Sequence, residues 1–262
     1  MNYTTDFKSI RAEVSAEEWQ TRVDLAACYR LVDKYAMTDL IYNHITARIP
    51  GSDDELLINP YGYLYEEITA SSLVKIDIEG NILLQPDHGY GINPAGYVIH
   101  SAVHAARSDA ICVLHTHTVA GVAVSCQQQG LLPLNQWSLQ FTGRLAYHDY
   151  EGIALDLDER ARLVADLGDK FVMVLRNHGM LTCGRSVAEA FKLMHNLERS
   201  CRAQLAIQSS GAEICQLSQG VARKTAEQYA SFYDEIEIKG KPDSEWAAFK
   251  RMLERSDPDF VN

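Results

Sequence analysis

Apolar and polar positions along the chain change period repeatedly, and each change marks a predicted element. Trp19, Val23, Ala26, Ala27, Tyr29, Leu31 and Tyr35 recur at mostly helical spacing behind Ser15-Ala16-Glu17-Glu18, a capping-box pattern, so a helix is predicted from about 15 to 37. Asn43 to Ile49 and Glu55 to Ile58 read as strands, separated by Pro50-Gly51 and followed by a turn at Asn59-Pro60-Tyr61-Gly62. Thr69 to Val74 reads as one helical turn, and Val74 to Ile78 with Asn81 to Leu84 as a hairpin around Glu79-Gly80. A glycine- and proline-rich loop over Pro86 to Pro94 leads into a helix from about Ala95 to Arg107. Ile111 to Leu114 is an unbroken run rich in β-branched residues, the pattern of a buried strand. Thr118 can cap a helix to about Gln129, which Gly130 ends. Leu131 to Tyr150 suggests further strand and loop. A helix from Leu157 to about Leu167, a strand from Phe171 to Leu175 and a short strand from Met180 to Cys183 follow. Ser186-Val187-Ala188-Glu189, again a capping box, opens a long helix through Leu205. Helices over Ser218–Tyr233 and Asp243–Arg255 end the chain, the last exposed enough to act as a tail or subunit clamp. The parse is one α/β domain over 1–215 and a helical C-terminal extension over 216–262.

Candidate chemistry sits where two of these strands end. The Ile111 strand closes in His115-Thr116-His117, and the Phe171 strand closes in Arg176-Asn177-His178-Gly179. Residues i and i+2 of a strand point to one face, so His115 and His117 can aim two imidazoles at one point. Strand ends facing a crevice are where α/β proteins build sites. His115, His117 and His178 are therefore expected to share one divalent metal. His100 and His104, one turn apart on a helix, form a second possible pair, and His195 is expected to pack.

Composition narrows the class. The chain has 262 residues, 47% hydrophobic and 23% charged, which suits a globular protein. No run approaches the roughly 18 apolar residues of a membrane span. The formal charge of −11 argues against nucleic acid as the main partner. Met1–Asp6 shows no basic-then-apolar leader, and the six scattered cysteines include no CxxC, so a cytoplasmic protein with reduced thiols is expected.

The ordered motifs His115-Thr116-His117, Arg176-Asn177-His178-Gly179, Gly91-Ile92-Asn93-Pro94-Ala95-Gly96, Ile45-Thr46-Ala47-Arg48, Thr69 to Val74 and Ala146-Tyr147-His148-Asp149-Tyr150 resemble the class II aldolase/adducin family, nearest its adducin-like branch. The likeness runs from about Trp19 to Gly211. It implies a three-layer α/β/α sandwich with a central, mainly antiparallel sheet. It also implies a metal triad of His115, His117 and His178, with zinc the expected ion and iron or manganese as alternatives, and a homo-oligomer, specifically a tetramer. Sugar-phosphate aldolases of the family carry a catalytic acid at the position of Gly96 and phosphate-binding serines near Pro94 and Ala95. Both features are missing here.

A replacement acid/base is then required. The candidates are His148, Tyr147, Asp149, Asp87, His88 and Tyr90, with His148 first because imidazole titrates near neutral pH. Arg176 is expected to pair with a substrate carboxylate, and Asn43 and Asn93 to bind substrate. The expected function is a metal-dependent lyase, of aldolase or decarboxylase type, acting on a small carbonyl or carboxylate compound. A non-haem iron oxygenase on the same triad and a non-catalytic, actin-binding module like adducin are the alternatives.

Overall fold

The computed structural model describes residues 7–152 and 159–262, with only the backbone of 94–96 described. Met1–Asp6 and the expected helix start at Leu157-Asp158 lie outside the described residues.

The first helix, α1 (Ala16–Lys34), begins as its capping box requires: the Ser15 hydroxyl accepts the Glu18 N–H at 3.1 Å. The first four strands are β1 (His44–Arg48), β2 (Leu56–Ile58), β3 (Val74–Ile76) and β4 (Ile82–Leu84). Helix α2 (Pro94–Ala106) returns the chain to β5 (Cys112–Thr116), followed by α3 (Val119–Ser125) and the short α4 (Gln136–Leu139). Next come β6 (Leu145–His148), α5 (Glu159–Leu167), β7 (Val172–Leu175), β8 (Gly179–Gly184) and α6 (Val187–Ser209). Helices α7 (Gln219–Glu237) and α8 (Ser244–Ser256) complete the chain, capped by Ser218 and Asp243.

The eight strands among the described residues form one sheet in the order β4-β3-β2-β1-β5-β8-β7-β6. Only β6 and β7 pair in parallel, because α5 carries the chain back between them. Every other neighbouring pair is antiparallel. The two faces carry different layers. Cys112 and Leu114 of β5 join a core with α1 and α6, including Leu25, Leu31, Phe191 and Leu197. Val113 between them faces the other way, against Ile99 and Val103 of α2 and Leu163 and Leu167 of α5. A strand covered on both faces needs no polar residue, which is why this one reads as an unbroken apolar run. The result is the three-layer sandwich expected from the resemblance.

Three expectations need correction. Helix α3 stops at Ser125 rather than running to Gln129. The carbonyls after it are taken by side chains: Arg176 Nη1 donates to Gln127 O at 2.7 Å and Gln204 Nε2 to Gly130 O at 2.9 Å. The stretch from Thr69 is a turn, not a helical one. Ser72 Oγ accepts the Thr69 N–H, while the Ala70 and Ser71 N–H groups donate to Phe260 O and Asn262 O. The C-terminal helices are no loose tail. Trp246, Leu253 and Phe260 are buried in the main core, and Arg30 donates to Asp259 at 2.9 Å.

Between β1 and α2 a polar chain is buried. His104 Nδ1 lies 2.9 Å from Ala110 O and so carries the proton it donates there. Its Nε2 then accepts from Thr46 Oγ1 at 2.8 Å, and Thr46 Oγ1 in turn accepts from His100 Nδ1 at 2.8 Å. The second possible metal pair is thus spent on a threonine. Burial and the nearby Arg48 guanidinium push the His104 pKa down to about 3.

This packing can be tested at two points. Leu253→Ala is expected to cost about 2–5 kcal/mol in urea unfolding, because a fully buried core side chain is removed; an unchanged midpoint would show that α8 is dispensable. Because His104 titrates below its unfolded value of about 6.5, its stabilisation is complete above that pH and is lost as pH falls toward 3. With chelator present, the loss of stability between pH 7 and 4.5 should be shallower in His104→Gln than in the wild type.

Candidate metal centre

The pairing of β5 with β8 decides what meets at the site. His115 lies opposite Leu181 and Thr116 opposite Met180, so the next step of the register sets His117 beside Gly179. Gly179 must be glycine there: a Cβ would stand 2.5 Å from Thr116 O and 3.1 Å from His117 Cδ2. Asn177 just before it takes a left-handed conformation, φ 56°, which asparagine tolerates better than most residues. That kink turns His178 back over the end of β5. In Asn177-His178-Gly179 the first residue thus supplies the bend, the second the ligand and the third the close approach.

The three rings converge. His117 Nε2 lies 2.7 Å from His115 Nε2 and 2.9 Å from His178 Nε2, and all three candidate ligand atoms fall within 4.8 Å of one another. The opposite ring nitrogens fix the protons. His115 Nδ1 donates to Met180 O at 2.9 Å, and His117 Nδ1 faces the Asp39 carboxylate at 3.0 Å. With both protons committed there, the Nε2 atoms of His115 and His117 are bare lone pairs pointing at each other. Lone pairs at 2.7 Å repel unless a cation lies between them. A carboxylate or a backbone carbonyl on the far nitrogen is the usual support of a metal-bound histidine. Three nitrogens at about 2.1 Å from a tetrahedral ion would stand about 3.4 Å apart, so opening these rings by roughly half an ångström admits zinc. The donor set therefore fits a divalent metal.

Burial keeps His115 and His178 neutral. His115 is held well below the ordinary histidine value, first by burial and then by His178 and His117. His178 is pushed down to about 4 by burial and by His117. The segment that carries Asp39 is conformationally strained: Ala36, three residues before it, and Leu40, directly after it, both have positive φ, at 53° and 48°.

The other expected site residues lie at varied places. His148 is buried away from the triad: its Nδ1 bonds Asp166 at 2.8 Å and its Nε2 faces Glu159 at 3.4 Å, so it clamps β6 to α5. Tyr147 accepts the Leu131 N–H at 3.0 Å and lies under Arg176, whose guanidinium is 4.2 Å from the ring centroid. Arg176 therefore secures the loop after α3 instead of pointing at the triad. Asp149 and Asp87 are exposed, while His88 is buried, its Nδ1 accepting the Tyr90 N–H at 3.1 Å. The Tyr90 ring packs edge-on against Tyr63. Asn93 O accepts the Tyr97 N–H at the start of α2. Asn43 is 1% exposed, and neither amide atom has a hydrogen-bond partner among the described residues.

Residues that sequence reasoning missed complete the surroundings. Asp39 is 78 positions from His117, and nothing in its spacing marks it. The His44 ring lies against His115, 5.7 Å between centroids. The half-exposed Tyr150 ring lies 6.3 Å from His178. Its signal was its place two residues beyond the strand that runs beside β7.

Known proteins resemble this chain over most of its length. Residues 23–205 match the Class II Aldolase and Adducin N-terminal domain. A Pseudomonas aeruginosa protein named for the class 2 aldolases is 51% identical over 251 residues, spanning 96% of this chain and 95% of its own. Rat alpha-adducin is 48% identical over 185 residues, 70% of this chain but only 25% of adducin. The crystal structure of an aldolase II superfamily protein from Pseudomonas syringae superposes with a TM-score of 0.89 at 52% identity, covering 97% of this chain and 100% of that one. L-fuculose 1-phosphate aldolase from Glaciozyma antarctica shares the fold at a TM-score of 0.80 and 23% identity, covering 98% and 96%. The chain belongs to the class II aldolase and adducin family.

Proposed function

We propose that the protein is a metal-dependent lyase acting on a small carbonyl or carboxylate compound, with the ion held by His115, His117 and His178. The observation that carries this is the pair of Nε2 lone pairs facing each other at 2.7 Å, with their Nδ1 protons turned to Met180 O and Asp39. A divalent cation held by His115, His117 and His178 would supply Lewis-acid polarisation of a substrate carbonyl. The chain's own residues would do the rest. Asp39 fixes the tautomer and the ring plane of His117. The buried Asn43 amide offers a donor and an acceptor to a substrate oxygen, and Asn93 stands in the loop entering α2. Gly96 has no proton to exchange, so the acid used by sugar-phosphate aldolases is replaced. Tyr150, with its ring beside His178, takes that role in place of His148, whose ring faces Asp166 and Glu159 on α5.

A second reading rests on the 48% identity with rat alpha-adducin: a binding module without turnover. Actin co-sedimentation of the purified protein distinguishes the two, as pelleting with filaments supports the module. The lyase reading also names zinc over iron. Oxygen uptake after anaerobic loading with Fe(II) would favour an oxygenase instead.

Elemental analysis should find one divalent metal per chain, lost in His115→Ala and His178→Ala together with cleavage of small oxo acids. Full turnover after removal of the metal would end the lyase reading. Asp39→Asn is expected to weaken metal binding by about 10–100-fold while leaving the fold intact. Gly179→Ala should also lose metal, because its Cβ would displace Thr116 O and the His117 ring; metal content equal to wild type would show that this close approach is not required.

A further inference from the structure

His115 stands inside β5, but His117 lies one residue past Thr116, the last position of the β5–β8 ladder. Its backbone is held from the other face of the sheet. Side chains alternate along a strand, so Thr116 and Thr118 turn away from the face of His115 and His117. They turn toward α6. Met194, Glu198 and Cys201 share one side of that helix, at i, i+4 and i+7. Each meets a segment that carries or supports a ligand. Thr116 Oγ1 donates to Met194 Sδ at 3.2 Å, and Thr118 Oγ1 donates to Glu198 Oε2. Cys201 Sγ lies 3.7 Å from Met180 Sδ, and Met180 O is the acceptor for His115 Nδ1.

Glu198 is the charged member of the three, and it is only 5% exposed. Its ion-pair partner among the described residues is Arg202, 3.3 Å away at the surface. Burial pushes the Glu198 carboxyl pKa up, and the Thr118 hydrogen bond draws it back. Thr118, with its proton given to Glu198, accepts the Gly121 N–H at 3.1 Å and so starts α3. Gly121 is pressed into the same corner. A Cβ there would stand 2.8 Å from Thr118 Oγ1 and 2.5 Å from Met180 Cε. The residue after His117 is thus fixed by α6, while Asp39 holds the far nitrogen of the His117 ring.

We propose that Glu198 is a positioning residue of the metal centre: through Thr118 it sets the backbone from which His117 presents Nε2. The proposal rests on the reading of the triad as a metal site. Glu198 is not a ligand. It acts through one charge-assisted hydrogen bond to the threonine hydroxyl.

Cobalt(II) titration of the metal-free protein, followed by its visible ligand-field spectrum, tests this without any turnover. Glu198→Ala and Thr118→Val should each weaken cobalt binding about tenfold and alter the spectrum. Glu198→Gln keeps an acceptor for Thr118, and Thr118→Ser keeps the hydroxyl, so both should retain most of the affinity. Should Glu198→Ala fail to fold, Thr118→Val and Thr118→Ser carry the test. A role confined to starting α3 would lower the melting temperature of metal-free Glu198→Ala and Thr118→Val and leave cobalt affinity and spectrum at wild-type values. That result would overturn the proposal, as would either conservative variant as impaired as its disruptive partner. Wild-type protein that binds no cobalt would instead end the metal reading itself, and the proposal with it.

Discussion

The register between β5 and β8 is the constraint on which the site depends. Slipping it by one residue would turn every side chain of β5 to the opposite face. His115 and His117 would then face the α1–α6 layer, and His178 would lose its place beside them. The register is held from both sides. Val113 needs the α2–α5 core and Leu114 the α1–α6 core. At the strand end, Gly179 lets the backbone of Thr116 approach where no other residue fits. The ordinary packing of a two-faced sheet thus aligns three imidazoles, with no dedicated scaffold.

Alignment alone would not make a metal site. Three neutral histidines could satisfy each other as donors and acceptors. Here the far nitrogens of His115 and His117 are engaged by Met180 O and Asp39, so the Nε2 atoms of that pair have nothing to donate to each other. Strain is part of the arrangement: Leu40 beside Asp39 and Asn177 beside His178 both sit in left-handed conformations. Such conformations cost about 1–3 kcal/mol each and persist where the surrounding structure enforces them. The strained residues flank the site on both of the segments that bring side chains to His117.

The C-terminal helices extend the same logic. They bury Trp246, Leu253 and Phe260 in the core that backs β5, and the last residues hydrogen-bond the turn at Ala70 and Ser71. The end of the matched family domain at residue 205 is therefore not a boundary of packing.

Legible along the chain were the alternation of sheet and helix, the capped helix starts and the His115–His117–His178 set, because periodicity, caps and strand-end motifs are local signals. The roles of His148, Tyr147 and Arg176 were not legible, since a polar residue near a motif looks the same whether it faces a substrate or a neighbouring helix. It took the folded arrangement to give His148 to Asp166 and Glu159, to set Arg176 on the loop after α3, and to bring Asp39 to His117 across 78 residues. Side-chain partners separated this far in sequence are set by how the layers pack, and packing leaves no periodic trace along the chain.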